Sequence, residues 1–82
     1  MFYVYVLKGP RERDLYFGYT ADLKARYASH QRMPRHRGWK LAYYEAYQDE
    51  RDARERERRL KHYGSGRGRL KKRIARSLSE GG

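Results

Sequence analysis

The chain has no cysteine, which excludes disulfides, thiolate nucleophiles and thiolate zinc sites together. No apolar run approaches the roughly 20 residues needed to cross a bilayer. The opening stretch MFYVYVLKGP lacks the charged leader and small-residue cleavage site of a signal peptide. The expectation is therefore a soluble, cytoplasmic protein with no membrane partner. Acidic residues are few, 10 against 21 Lys+Arg, so an 82-residue chain carries a formal charge of +11. Such a charge attracts polyanions whatever the fold and makes nucleic acid the leading partner, without separating an enzyme from a binder. Internal repeats and long linkers are absent too, so the whole chain 1–82 reads as one domain, with 79–82 expected to be a disordered tail.

Nine tyrosines supply much of the apolar content, so the core must bury ring bodies while the hydroxyls find partners. Residues 2 to 7 alternate Phe2, Val4, Val6 with Tyr3, Tyr5, Leu7, and a second run at 15–19 follows a polar turn containing Gly9 and Pro10. This predicts a β-hairpin, with Tyr16 and Gly18 on one face of the second strand and Leu15, Phe17 and Tyr19 on the other. Neither face is fully polar, so both should be covered. A helix is expected from Thr20 as N-cap, with Asp22 in its first turn and Leu23 and Tyr27 one turn apart. Pro34 and Gly38 break it into a basic loop that holds three arginines and His36. A third strand is expected at 39–47, with Trp39, Leu41, Tyr43, Glu45 and Tyr47 on one face.

A further helix is predicted from Asp49, which stands three residues before Asp52 as in a capping box, to Gly64 as terminator. Its apolar residues are only Ala53, Leu60 and Tyr63, and the gap on that face falls at Arg56 and Glu57, where an inward-facing helix normally carries aliphatics. After GSGRGR a last helix places Leu70, Ile74 and Leu78 at i, i+4 and i+8. The order ββαβαα indicates α/β layering around a small sheet.

Four groups of residues could carry chemistry. Arg26 and His30 lie at i, i+4; they form either a solvated basic face or a pair in which Arg26 clamps a phosphate and His30 passes a proton. Glu57, with Arg54 and Lys61 in helical reach, is either a surface ion pair or a hard-oxygen ligand for Mg²⁺. Tyr5 and Tyr16 are either packing residues or phenols facing one cleft. At a pKa near 10 only about 0.1% of a tyrosine is phenolate at pH 7, so a catalytic tyrosine needs cations nearby. The stretch 64–69 is either a turn or a loop whose amides approach a phosphate.

The ordered set of these pieces resembles the GIY-YIG nuclease superfamily, in its small single-domain bacterial branch. YVY at Tyr3 to Tyr5 stands for the first triplet and YFG at Tyr16 to Gly18 for the second; TADLKARYASH, WKLAYYEAY and DARERERRLK follow like the family's helix, third strand and glutamate helix. The resemblance covers roughly residues 2 to 74. It implies a three-stranded antiparallel sheet flanked by helices (an α+β arrangement) and metal-dependent cleavage of phosphodiester bonds. It also implies roles: Tyr5 to activate water, Tyr16 in support, Arg26 at the transition state, His30 beside them, and Glu57, rather than Glu55, as ligand of Mg²⁺ or Mn²⁺. Together the metal and Arg26 are expected to ease deprotonation of Tyr5. Two features depart from the family pattern: Tyr3 replaces the first glycine, as is usual in this branch, and the asparagine that many members carry after the glutamate helix has no counterpart.

The expected activity is hydrolysis of DNA by water, with low sequence specificity and phosphate contacts from Arg35, Arg37, Lys61, Arg67 and Arg69. Branched or structured DNA is included among the substrates, RNA is the weaker candidate, and the protein is expected to be a monomer or a weak homodimer. The alternative is a non-catalytic basic module that binds DNA or RNA and retains the fold; a ribosome-associated role is a third reading.

Overall fold

The computed structural model describes residues 1–62 and 64–80. Alternating Val and Tyr favour extended backbone, and Phe2–Lys8 (β1) pairs antiparallel with Leu15–Thr20 (β2) as the predicted hairpin. The third strand, Lys40–Tyr47 (β3), adds to the other edge of β1, so the sheet order is β2-β1-β3. The central strand must be apolar on both sides, and Val4, Tyr5, Val6 and Leu7 are all at most 1% exposed.

One face of the sheet carries the main core. Val4, Val6 and Phe17 pack there with Ala53, Leu60 and Leu70 from the helices, bordered by Phe2, Leu15, Tyr19, Tyr43, Tyr47, Ile74 and Leu78. Those helices are Glu50–His62 (α2), Gly64–Arg73 (α3) and Ala75–Glu80 (α4). The opposite face presents Tyr3, Tyr5, Leu7, Tyr16 and Gly18, as the strand registers require, and is covered by Leu23–Arg32 (α1) and the turns that follow it.

Several local expectations are corrected. The N-cap of α1 is Asp22, whose carboxylate accepts from the Ala25 amide at 3.0 Å; Thr20 ends β2, and its Oγ1 accepts from the Asp22 amide. The face shared by residues 39–47 is interrupted by a β-bulge: Val6 pairs with Tyr43 but Leu7 with Leu41. The extra residue reverses the alternation. Leu41 therefore joins Tyr44, Tyr3 and Tyr27 on the α1 side, whereas Tyr43 and Tyr47 reach the main core.

GSGRGR is helical rather than a loop, forming the start of α3, so Gly64 opens a helix instead of closing one. The stripe of Leu70, Ile74 and Leu78 docks as expected, but on two helices that meet at Ile74. Helix α4 runs to Glu80. Tyr63, Gly81 and Gly82 lie outside the described residues.

The charged gap in α2 has a physical account. Ala53 and Leu60 point inward, and Arg56 and Glu57 leave that stripe on opposite flanks. Arg56 binds Glu45 on β3 with Nε at 2.9 Å from Oε1 and a second contact from its terminal nitrogen at 2.9 Å. Tyr43 and Tyr47 donate to the same carboxylate. Burial opposes ionisation of Glu45, but hydrogen bonds from Arg56, Tyr47 and Tyr43 outweigh it and hold the carboxyl below its usual value.

Candidate active site

The second triplet owes its glycine to a close approach. Gly18 pairs directly with Tyr5, and a Cβ built on it would lie inside contact distance of the Tyr5 ring and hydroxyl. The missing side chain lets the phenol lie across β2, where its ring meets that of Tyr16 with centroids 6.1 Å apart. Tyr5 is thus nearly inaccessible, while Tyr16 is half-buried at the sheet edge.

The Tyr5 hydroxyl lies 2.7 Å from Nε2 of His30, which α1 delivers from its last turn. Nδ1 of His30 lies 3.0 Å from Nδ1 of His36. Both histidines are buried, at 2% and 8% exposure. Backbone turns fix His36 in place: its amide donates to Met33 O, and the Trp39 amide donates to His36 O. Gly38 supplies the positive φ of 83° that closes this turn. His36 lies among the rings of Tyr16, His30 and Trp39, with centroids 4.8 to 4.9 Å away. Among the described residues no buried side-chain nitrogen or oxygen lacks a partner.

Burial sets the titration of this chain. It lowers the His30 pKa, helped by His36 and Arg26, and it lowers that of His36, helped by Arg35. Both rings are therefore neutral at pH 7. Burial also raises the Tyr5 pKa, with Tyr16 and Glu57 adding to the effect and Arg26 opposing it. The expected easing of Tyr5 ionisation is thus limited to the Arg26 contribution, and the phenol is protonated in this structure.

Glu57 belongs to a helix that covers the other face of the sheet, yet its flank of α2 borders the free edge of β2. Lys61, one turn on, sits over the Tyr16 ring at 5.7 Å and pairs with Glu57 at 3.3 Å. The charges of Arg26 and Glu57 both bear on the Tyr5 hydroxyl, the first lowering its pKa and the second raising it. Tyr5, Tyr16, Arg26, His30 and Glu57 therefore converge around one edge of the sheet. Arg54, expected beside Glu57, instead pairs with Glu50 at 3.2 Å. Among the described residues no group of three or more His, Cys, Asp or Glu forms a metal cage. One carboxylate at 24% exposure, held by a single lysine, suits Mg²⁺, which takes one or two protein carboxylates and completes its shell with water and substrate phosphate.

The expected phosphate contacts divide in two. Arg35 and Arg37 are exposed on either side of His36, and Lys61 stands at Tyr16. Arg67 lies over the Phe17 ring, 6.0 Å from its centroid. Arg69 is elsewhere, lining a cavity of about 550 Å³ with Arg56, Arg58, Arg59 and Arg73. Sequence reasoning missed His36 and Trp39 as parts of the site. His36 stood in a run of arginines that reads as a solvated loop, and nothing local marks it as buried.

No curated protein and no solved structure matches the chain. A family model described as the GIY-YIG catalytic domain matches residues 1–68. This span runs from the first triplet through the glutamate helix into α3, and includes every residue that meets at the sheet edge. With that match over most of its length, and both tyrosine triplets seated on adjacent strands of a β2-β1-β3 sheet, the chain belongs to the GIY-YIG family, whose domain has a nuclease-type fold.

Proposed function

We propose that the protein is a divalent-metal-dependent endonuclease that hydrolyses DNA phosphodiester bonds with water as nucleophile. The observation that carries this reading is the 2.7 Å hydrogen bond between the buried Tyr5 phenol and Nε2 of His30, beside Tyr16, Arg26 and a metal-competent Glu57. Glu57 would hold Mg²⁺ or Mn²⁺, which would supply Lewis-acid stabilisation of charge on the scissile phosphate. The protein residues do the rest. Arg26, with a planar fork of donors, neutralises a non-bridging oxygen. Tyr5 takes the proton of the attacking water while passing its own to Nε2 of His30, so that no free phenolate is formed. Tyr16 holds the Tyr5 ring on one side and carries Lys61 on the other.

DNA is held chiefly through phosphates. Arg35, Arg37 and Lys61 flank the site, Arg67 extends the contact onto α3, and Arg69 adds to it from the separate arginine-lined cavity. Because those contacts go to phosphates, sequence preference is weak and binding falls steeply with salt. Branched and structured DNA present more phosphates to such a surface and are favoured over linear duplex.

The test is cleavage of plasmid and branched DNA in Mg²⁺ or EDTA by wild type, Glu57→Gln and Arg26→Ala. Wild type should nick only with the metal. Glu57→Gln should lose cleavage at least 100-fold while binding DNA as well or better, because a negative charge has been removed. Equal cleavage by all three proteins would sink the reading, and metal-independent binding without cleavage would make the protein a non-catalytic module.

A further inference from the structure

The histidine chain extends beyond the tyrosine it serves. We infer that His36 is the terminal acceptor of a proton relay that starts at the Tyr5 hydroxyl and passes through His30; this rests on the nuclease reading above. The relay needs three groups in hydrogen-bond contact, and the structure holds them at 2.7 Å and 3.0 Å. It also needs consistent tautomers. A tyrosine that donates to Nε2 leaves His30 with its proton on Nδ1, which then donates to Nδ1 of His36, whose own proton is on Nε2.

The transfer balances. The water proton goes to the Tyr5 oxygen, the Tyr5 proton to Nε2 of His30, and the Nδ1 proton of His30 to Nδ1 of His36. As the water oxygen bonds to phosphorus, the P–O bond to the leaving sugar oxygen breaks and that oxygen takes a proton from solvent; His36 is left as imidazolium, and return of the Nδ1 proton along the same path to water at the Tyr5 hydroxyl restores the starting tautomers. His30 is neutral before and after, so no charge is stranded at the more buried imidazole.

The surroundings of His36 suit this role. Aromatic faces attract cations within about 6 Å of their centroids, and the Tyr16 and Trp39 rings lie at 4.8 Å from His36. Aromatic contact thus partly offsets the cost of a transient cation in a buried place. The charged and titratable groups around the pair are Tyr5 from β1, Tyr16 from β2, Arg26 from α1 and Arg35 in the turn. Burial and then Arg35 disfavour a resting imidazolium at His36, which keeps the acceptor empty at neutral pH.

His36→Asn separates relay from positioning. The Asn carbonyl oxygen stands near the place of Nδ1 and can still accept from His30, but it cannot take the proton. The relay predicts a plateau rate about 10- to 100-fold lower, within the roughly 10²–10⁴ that positioned proton transfer contributes, and an acid limb of the pH–rate profile displaced from that of wild type. A wild-type rate and profile in His36→Asn would overturn the relay.

A second measurement needs neither a variant nor activity. ¹⁵N–¹H NMR of the imidazoles in the intact wild-type protein should show His30 protonated on Nδ1 and His36 on Nε2, with the two rings responding together on acidification. His30 protonated on Nε2 would reverse the chain and overturn the inference. Absence of Mg²⁺-dependent cleavage by wild type would instead remove the nuclease reading on which the relay depends, a result distinguishable from both.

Discussion

Substituting Gly18 with alanine tests the geometry of the site at its tightest contact. The new methyl group would fall inside contact distance of three Tyr5 ring and hydroxyl atoms. Tyr5 cannot yield freely, because it is 1% exposed and packed against Tyr16 and His30. Restoring ordinary contact requires the ring to move by about 1 Å, enough to lengthen the 2.7 Å bond to His30 beyond useful range. Overpacking of this kind costs about 1–3 kcal/mol, and a lost hydrogen bond adds about 1 kcal/mol. A combined loss of about 2–4 kcal/mol lowers Tm by roughly 10–25 °C in a domain of this size.

The assay is thermal unfolding followed by circular dichroism, with Gly68→Ala as the control. Gly68 lies inside α3, and an added Cβ meets nothing within 4 Å, so that change should stabilise by about 0.5–1 kcal/mol. Repeating Gly18→Ala in a Tyr5→Ala background should abolish most of its cost, since the coupling lies between these two residues. An unchanged Tm for Gly18→Ala, or an equal loss with and without the Tyr5 ring, would refute the reasoning.

Two other consequences concern charge. Glu45→Gln leaves Arg56 with a neutral partner in a half-buried place and should cost about 1–3 kcal/mol at pH 7 in denaturant unfolding. Because the folded Glu45 pKa is depressed below its usual 4.5, the wild-type advantage should be complete above that value and fade as pH falls through the folded pKa. A difference that is constant with pH would contradict the assignment. Arg35→Ala and Arg37→Ala, exposed beside the site, should each reduce the slope of log K against log salt by about 1 in DNA-binding titrations; an unchanged slope would remove that residue from the interface.

Sequence patterns recovered whatever repeats locally. The alternation in 2–7 set Tyr3, Tyr5 and Leu7 apart from Phe2, Val4 and Val6, and that in 15–19 put Tyr16 with Gly18, because a strand has a period of two; the register of β1 against β2 put the two sets on one face. The helical period of α2 likewise exposed the charged gap at Arg56 and Glu57. Expectations failed where a single residue shifted the frame or where several outcomes were locally equivalent. The bulge opposite Val6 and Leu7 reversed part of β3, and glycines that commonly mark a turn were drawn into α3.

Composition and order alone thus determined a basic chain of ββαβαα order with paired tyrosine triplets, and the likeness to one nuclease family. Tertiary structure decided the rest. It brought Glu57 around the edge of β2 from the far side of the sheet, gave Arg56 to Glu45, and buried His36 against His30. The physical reason is range: periodicity reports which way a residue faces within its own element, whereas a contact between residues on different elements depends on how those elements pack.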